Sequence, residues 1–145
     1  MPRLTFPFAA DGLLVPAMVG LATPAMQALQ ARGHPLPRLV RAKGMLDSGS
    51  TVTAVAPWVL AQLNASPGAT APTQTASGNV VVRMYKISFT IHPLVRGGPT
   101  LFRRDWSVTN LAKDPDDVDI LFGLDLLHQI VVTIDGPAQS FTMDF

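Results

Sequence analysis

The sequence predicts an all-β domain carrying two or three short helices. Three observations lead there. All ten acidic residues are Asp and none is Glu, and Asp is a poor helix former where Glu is a good one. Thirteen prolines and eleven glycines in 145 residues cut the chain into short pieces, which suits many strands and turns. From Tyr85 to Ile91 apolar and polar residues alternate strictly, the period of a half-buried strand.

Taken in order, residues 1–12 read as an extended lead-in with two prolines. Leu13 to Leu21 is an apolar run, read as a strand. Pro24 to Ala31 favours a short helix through Ala, Met, Gln and Leu, with Gly33 as its stop. His34-Pro35-Leu36-Pro37 is a linker by its prolines. Val40 to Leu46 forms a strand that runs into Asp47-Ser48-Gly49-Ser50. Pro57 to Leu63 reads as a second helix, with Pro57 in its first turn. Residues 64–78, rich in Ala, Ser, Thr, Pro and Gly, read as loop, and Asn79 to Ile91 as a long strand. Gly97-Gly98-Pro99 is a turn, Leu101 to Val108 a strand, and Asp114 to Asp117 an acidic turn. Asp119 to Phe122 is a short buried strand ended by Gly123, and Leu124 to Gln129 makes one or two helical turns. Ile130 to Ile134 and Ser140 to Phe145 form a hairpin about Asp135-Gly136-Pro137. No internal repeat and no second domain is visible, so 1–145 reads as one domain.

Composition removes several function classes. A 48% hydrophobic fraction with 14% charged residues describes a chain with a core, not a disordered one. Net charge is +1 and the only adjacent basic pair is Arg103-Arg104, so nucleic acid is not an expected partner. The absence of cysteine excludes disulfides, thiol catalysis and thiolate-bound metal. His34, His92 and His128 lack ligand spacing, so no metal is expected. An EF-hand register from Asp114 fails, because its sixth position, which needs Gly, is Asp119. Those aspartates read as a solvated turn. The longest apolar stretch, Leu13 to Met26, is broken by Pro16 and Pro24 and is too short for a bilayer. Asp11 stands where a signal core would continue. No membrane insertion and a cytoplasmic location are therefore the expectation.

Asp47-Ser48-Gly49-Ser50 is the sharpest chemical feature. A carboxylate at a strand end, followed by Ser and Gly, can be met by backbone amides in a tight turn. The hydroxyls can hold that turn by local hydrogen bonds. On these four residues alone a purely structural Asx turn is the favoured reading, because turn chemistry selects the same residue types. Ser48 as a hydrolase nucleophile is excluded, since Leu46 and Ser50 stand where a Gly-x-Ser-x-Gly elbow needs glycine. Asp125 reads as a carboxylate at a helix start. Trp58 and Trp106 read as core or interface residues.

Two further segments bring a family into view. Ile120-Leu121-Phe122-Gly123 followed by Leu124-Asp125-Leu126-Leu127 is an apolar strand, a glycine and a short helix. Thr73 to Gly78, with Thr75-Ala76-Ser77-Gly78 at its tip, precedes the long strand from Val80 to Ile91. Together with Met45-Leu46-Asp47-Ser48-Gly49-Ser50, the chain from Val40 onward resembles the retropepsin-like aspartic peptidases, single-lobe relatives of pepsin. The resemblance implies an acid-protease half-barrel with a flap hairpin, assembled as a homodimer. It implies Asp47 as the catalytic residue, supported by Ser48, Gly49 and Ser50, with Gly123 structural beside the site. It places Thr75, Ala76, Ser77 and Gly78 on the flap, against a peptide or protein substrate. The activity implied is peptide-bond hydrolysis without a cofactor, with an optimum on the acid side of neutrality. One Asp motif in 145 residues implies that the second carboxylate comes from a second copy. The extra dimer patch is expected in Ser140 to Phe145, where Phe141, Met143 and Phe145 alternate with polar residues.

The chain also departs from the family pattern. The segment near 23–37 is longer than the family's hairpin, and residues 1–39 as a whole diverge. Ser48 stands where Thr is commoner. A catalytically silent peptide-binding or dimerisation module of the same fold is the alternative expectation, because fold does not imply function.

Overall fold

The computed structural model describes residues 3–75, 77–91, 102–111 and 118–145. The strands are β1 (Arg3–Pro7), β2 (Leu14–Leu21), β3 (Val40–Leu46), β4 (Ala54–Val55), β5 (Pro67–Thr75), β6 (Gly78–Ile91), β7 (Phe102–Asn110), β8 (Ile120–Phe122), β9 (Val131–Asp135) and β10 (Ser140–Asp144). The helices are α1 (Thr23–Ala31), α2 (Pro57–Gln62) and α3 (Leu124–Leu127). The domain is therefore mostly β with short helices. Pro24 and Pro57 each stand in the first helical turn, where the missing N–H costs nothing.

Seven strands run in the order β2-β3-β8-β4-β7-β6-β5, and β2 also pairs with β6. Six of them thus close into a barrel within one chain, and β5 hangs outside on β6. The barrel interior follows the period-2 alternation read in the sequence: Val15, Ala17 and Val19 of β2 and Ile87, Phe89 and Ile91 of the adjacent β6 are all buried, in a core completed by Ile120 and Phe122. Phe89 packs against Phe122 at 5.3 Å between ring centres.

A second sheet has the order β1-β10-β9, antiparallel throughout. Leu4 and Phe6 of β1 and Phe141 and Met143 of β10 are buried on its inner face, with Phe6 stacked on Phe141 at 5.5 Å. Arg3 and Asp144 clasp its rim, Nε to Oδ1 at 2.6 Å and Nη2 to Oδ2 at 3.2 Å.

Three readings of the sequence are corrected here, and one strand is added. Residues 1–12 hold a true strand, β1, whose partner is the far end of the chain. Within 64–78, read as loop, Pro67–Thr75 form β5, because it draws its ladder from β6, and that pairing overrides a composition poor in β formers. Ala54–Val55 was not legible as a strand, being two residues long and defined by its neighbours β7 and β8. The alternating C-terminal strand is not an open edge: β10 is the middle of its sheet, so both its sides are taken in cis. The turns at Gly97-Gly98-Pro99 and Asp114 to Asp117, together with His92, lie outside the described residues. Among the described residues no helix is long and apolar enough to cross a membrane.

Candidate active site

Asp47 follows the last residue of β3 and is half-buried. Its position is set by β8, which inserts between β3 and β4, parallel to the first and antiparallel to the second. The chain therefore leaves β3 at Asp47, passes over the end of β8, and returns as β4. The Asp47 amide donates to Phe122 O at 2.9 Å, which pins the start of the turn to β8. Within the turn, Gly49 N donates to Asp47 Oδ1 at 2.9 Å and Ser50 N to Asp47 O at 3.2 Å. The Ser50 hydroxyl donates to Val52 O at 2.8 Å. Ser48 is exposed and Ser50 half-buried.

Gly49 is useful here for its size. A Cβ at residue 49 would stand 3.2 Å from Asp47 Oδ1, tight against the carboxylate. Gly123 is under stronger constraint. A Cβ there would stand 2.8 Å from both Ser50 O and Val52 C, all backbone, so only glycine lets β8 pass beneath the turn. Immediately after it, Leu124 N donates to Ser50 O at 2.8 Å and Asp125 N to Thr51 O at 3.3 Å.

Sequence reading underrated Asp125. Its Oδ1 accepts from Thr53 N at 3.0 Å, from Thr53 Oγ1 at 2.8 Å and from Leu126 N at 2.9 Å. Its Oδ2 accepts from Trp106 Nε1 at 2.8 Å. Thr53 is buried, and its hydroxyl also accepts from Gly123 N at 3.1 Å. Asp125 thus ties the far end of the Asp47 turn to β7 through Trp106, whose ring meets Phe89 edge-on at 6.2 Å. A short helix carrying a carboxylate was the visible signal; its partners were not.

Asp119 is a second structural carboxylate that the sequence reading placed in a solvated turn. Its Oδ2 accepts from Lys43 N at 2.8 Å and its Oδ1 from Trp58 Nε1 at 3.2 Å, which locks β3 to β8 below the turn. Trp58 is accordingly a surface clamp.

Thr75 and Gly78, two of the four residues expected on a flap, pair at the end of a hairpin. β5 and β6 pair from Pro67 with Tyr85 to Thr75 with Gly78, and Gly78 takes φ +116°. Ser77 is exposed; Ala76 lies outside the described residues. His128 is exposed at the end of α3. Among the described residues no group of three or more His, Asp or Glu side chains could hold a metal ion. No protein-family model matches the chain, and no curated protein matches its sequence.

Proposed function

We propose that the chain is an aspartic endopeptidase that hydrolyses peptide bonds as a homodimer, with a water activated by two Asp47 carboxylates, one from each subunit. The observation that carries this reading is how Asp47 is held. Asp105, Asp119, Asp125, Asp135 and Asp144 each accept hydrogen bonds from distant or turn donors that the fold needs. Asp47 is half-buried, yet among the described residues its carboxylate accepts only from Gly49 N, through Oδ1. Its Oδ2 faces no donor among the described residues and is left for an external partner, while the backbone of its turn is braced from three sides. A rigid backbone under an uncommitted carboxylate suits catalysis better than turn-making.

The chemistry needs two carboxylates, one acting as base while its neighbour acts as acid. The shared-proton aspartate dyad is a standard example of split acid strengths. Two like charges brought together cannot both ionise, so the pair holds one proton between them. The ionised member takes a proton from water, which attacks the scissile carbonyl. The protonated member donates to the carbonyl oxygen. The tetrahedral intermediate then collapses as the departing nitrogen is protonated, giving an amine and a carboxylic acid. The β5–β6 hairpin supplies the cover that excludes water.

Support for the dimer comes from β9. Its outer edge has no strand partner among the described residues, and it exposes Val131 (55%) and Ile134 (60%). Soluble proteins usually cover such an edge. β9 follows shortly after α3, the helix that braces the Asp47 turn, and pairing of its free edge across a two-fold axis is the contact by which a second copy could join.

The test is cleavage of an unstructured protein such as casein by wild type and Asp47→Asn from acidic to neutral pH. The expected result is turnover in the wild type and a loss of about a thousandfold or more in the variant, within the range that positioned acid–base groups contribute. Equal silence of both chains would replace this reading with the peptide-binding or dimerisation module.

A further inference from the structure

A wide groove lies away from the Asp47 turn. It encloses about 1100 Å³ between α1 and the base of the β5–β6 hairpin, and no residue from 47 to 53 lines it. Its origin is topological. One edge of β6 pairs with β2 over Ile87 to Ile91 and with β5 over Gly78 to Tyr85. β2 then departs into α1 while β5 departs toward α2, and the groove opens where they part, at Lys86.

We infer that this groove docks an extended peptide segment carrying both carboxylates and aliphatic side chains. Three features select that occupant. The first is the wall formed by β5. Gly68, Ala69, Thr70 and Ala71 all line the groove. The ladder to β6 is irregular between Pro67 and Thr70, so Gly68 and Ala69 are not paired with β6, and β5 is the terminal strand of its sheet. Its outer edge has no strand partner among the described residues, and an extended peptide can add to it by main-chain hydrogen bonds.

The second is the opposite wall. Helix α1 carries no charged side chain and has no buried residue, and its Ala25, Ala28 and Leu29 face the groove. A nine-residue helix is marginal alone, so packing must hold it. Its start is fixed to β7, where Thr23 N donates to Asp105 Oδ2 at 3.1 Å. The third feature is charge. Arg32, His34 and Lys86 stand on the groove, and none of the described residues lining it is acidic. A peptide bearing carboxylates therefore finds complementary charge above an apolar floor.

The test uses the full chain with Asp47→Asn, so that the probe is not cleaved. The probe is a fluorescein-labelled nine-residue peptide alternating Leu and Asp, followed by anisotropy and by backbone amide shifts. Saturable binding is expected, with shifts concentrated at Gly68 to Ala71 and at Lys86. Arg32→Glu with Lys86→Glu should weaken it by about tenfold or more, as charge reversal at a complementary surface does, and Arg32→Gln with Lys86→Gln by less. An alternating Leu–Lys peptide should bind at least about tenfold more weakly on the same grounds. The inference is overturned by equal affinity for both peptides, by shifts centred on Asp47 to Ser50, by insensitivity to both double variants, or by the absence of saturation. It is also overturned if a single-stranded oligonucleotide of equal charge displaces the peptide as well as unlabelled peptide does.

Discussion

Asp47 and Asp125 lie on the two sides of one turn and divide its work. Among the described residues the first meets a donor at one carboxylate oxygen; the second fills both of its own with donors from Thr53, Leu126 and Trp106. Asp125→Ala removes the acceptor for two donors on Thr53, a buried residue, and for the Trp106 indole. Leaving such donors unmet costs about 1–3 kcal/mol each, and partial access to water makes the sum less than additive. Urea unfolding should show a loss of about 2–3 kcal/mol on this scale, with residual turnover well above that of Asp47→Asn. A folded Asp125→Asn chain as inactive as Asp47→Asn would move the catalytic assignment. The Asp47 turn was readable because its residues are adjacent and each type has a local use in a turn. The Asp125 clasp was not, because Thr53 is 72 residues away and Trp106 is 19. No local pattern announces a bond of that span. The position of Gly123 was readable, but the reason for it, backbone passing 2.8 Å from where a Cβ would be, exists only in three dimensions.

Elements were legible where periodicity or capping is local. β3 was expected over Val40 to Leu46 and is found there, and α1 and α2 begin at or beside their prolines. β1, β4 and β5 were missed because each owes its strand character to its partners. β1 also carries a pH dependence. The hydrogen bond from Arg3 holds the Asp144 carboxyl below the usual carboxylate range, and the nearby charge adds to this. A lowered folded value means the bond stabilises the sheet above the ordinary Asp range, and that stability is lost as pH falls through the lowered value. Arg3 is open to solvent while Asp144 is half-buried, so salt weakens the effect in part. Amide exchange in β1 should accelerate in acid relative to β6, and Arg3→Ala should abolish the difference. Unchanged relative exchange in β1 would show that apolar packing of Leu4 and Phe6 alone holds the strand.

For the whole molecule, the account joins a closed barrel to a dimer. Removing Gln139 to Phe145 would be a poor probe of association, because it deletes the middle strand over Phe6 and exposes the core. Val131→Lys with Ile134→Lys is better, since both side chains are already exposed. Sedimentation should show the double variant as a folded monomer at concentrations where wild type is dimeric. Activity should fall with it, because mass action removes the second carboxylate. The central claim, one Asp47 from each of two chains, is tested most directly by mixing. Wild type and Asp47→Asn chains are unfolded together in equal amounts and refolded, and activity is measured per wild-type chain. Random pairing leaves about a quarter of dimers with two intact carboxylates, so activity per wild-type chain should drop to about half, and further with more variant. Activity per wild-type chain that stays constant at every ratio would mean that a single chain carries the whole site, and would contradict the account.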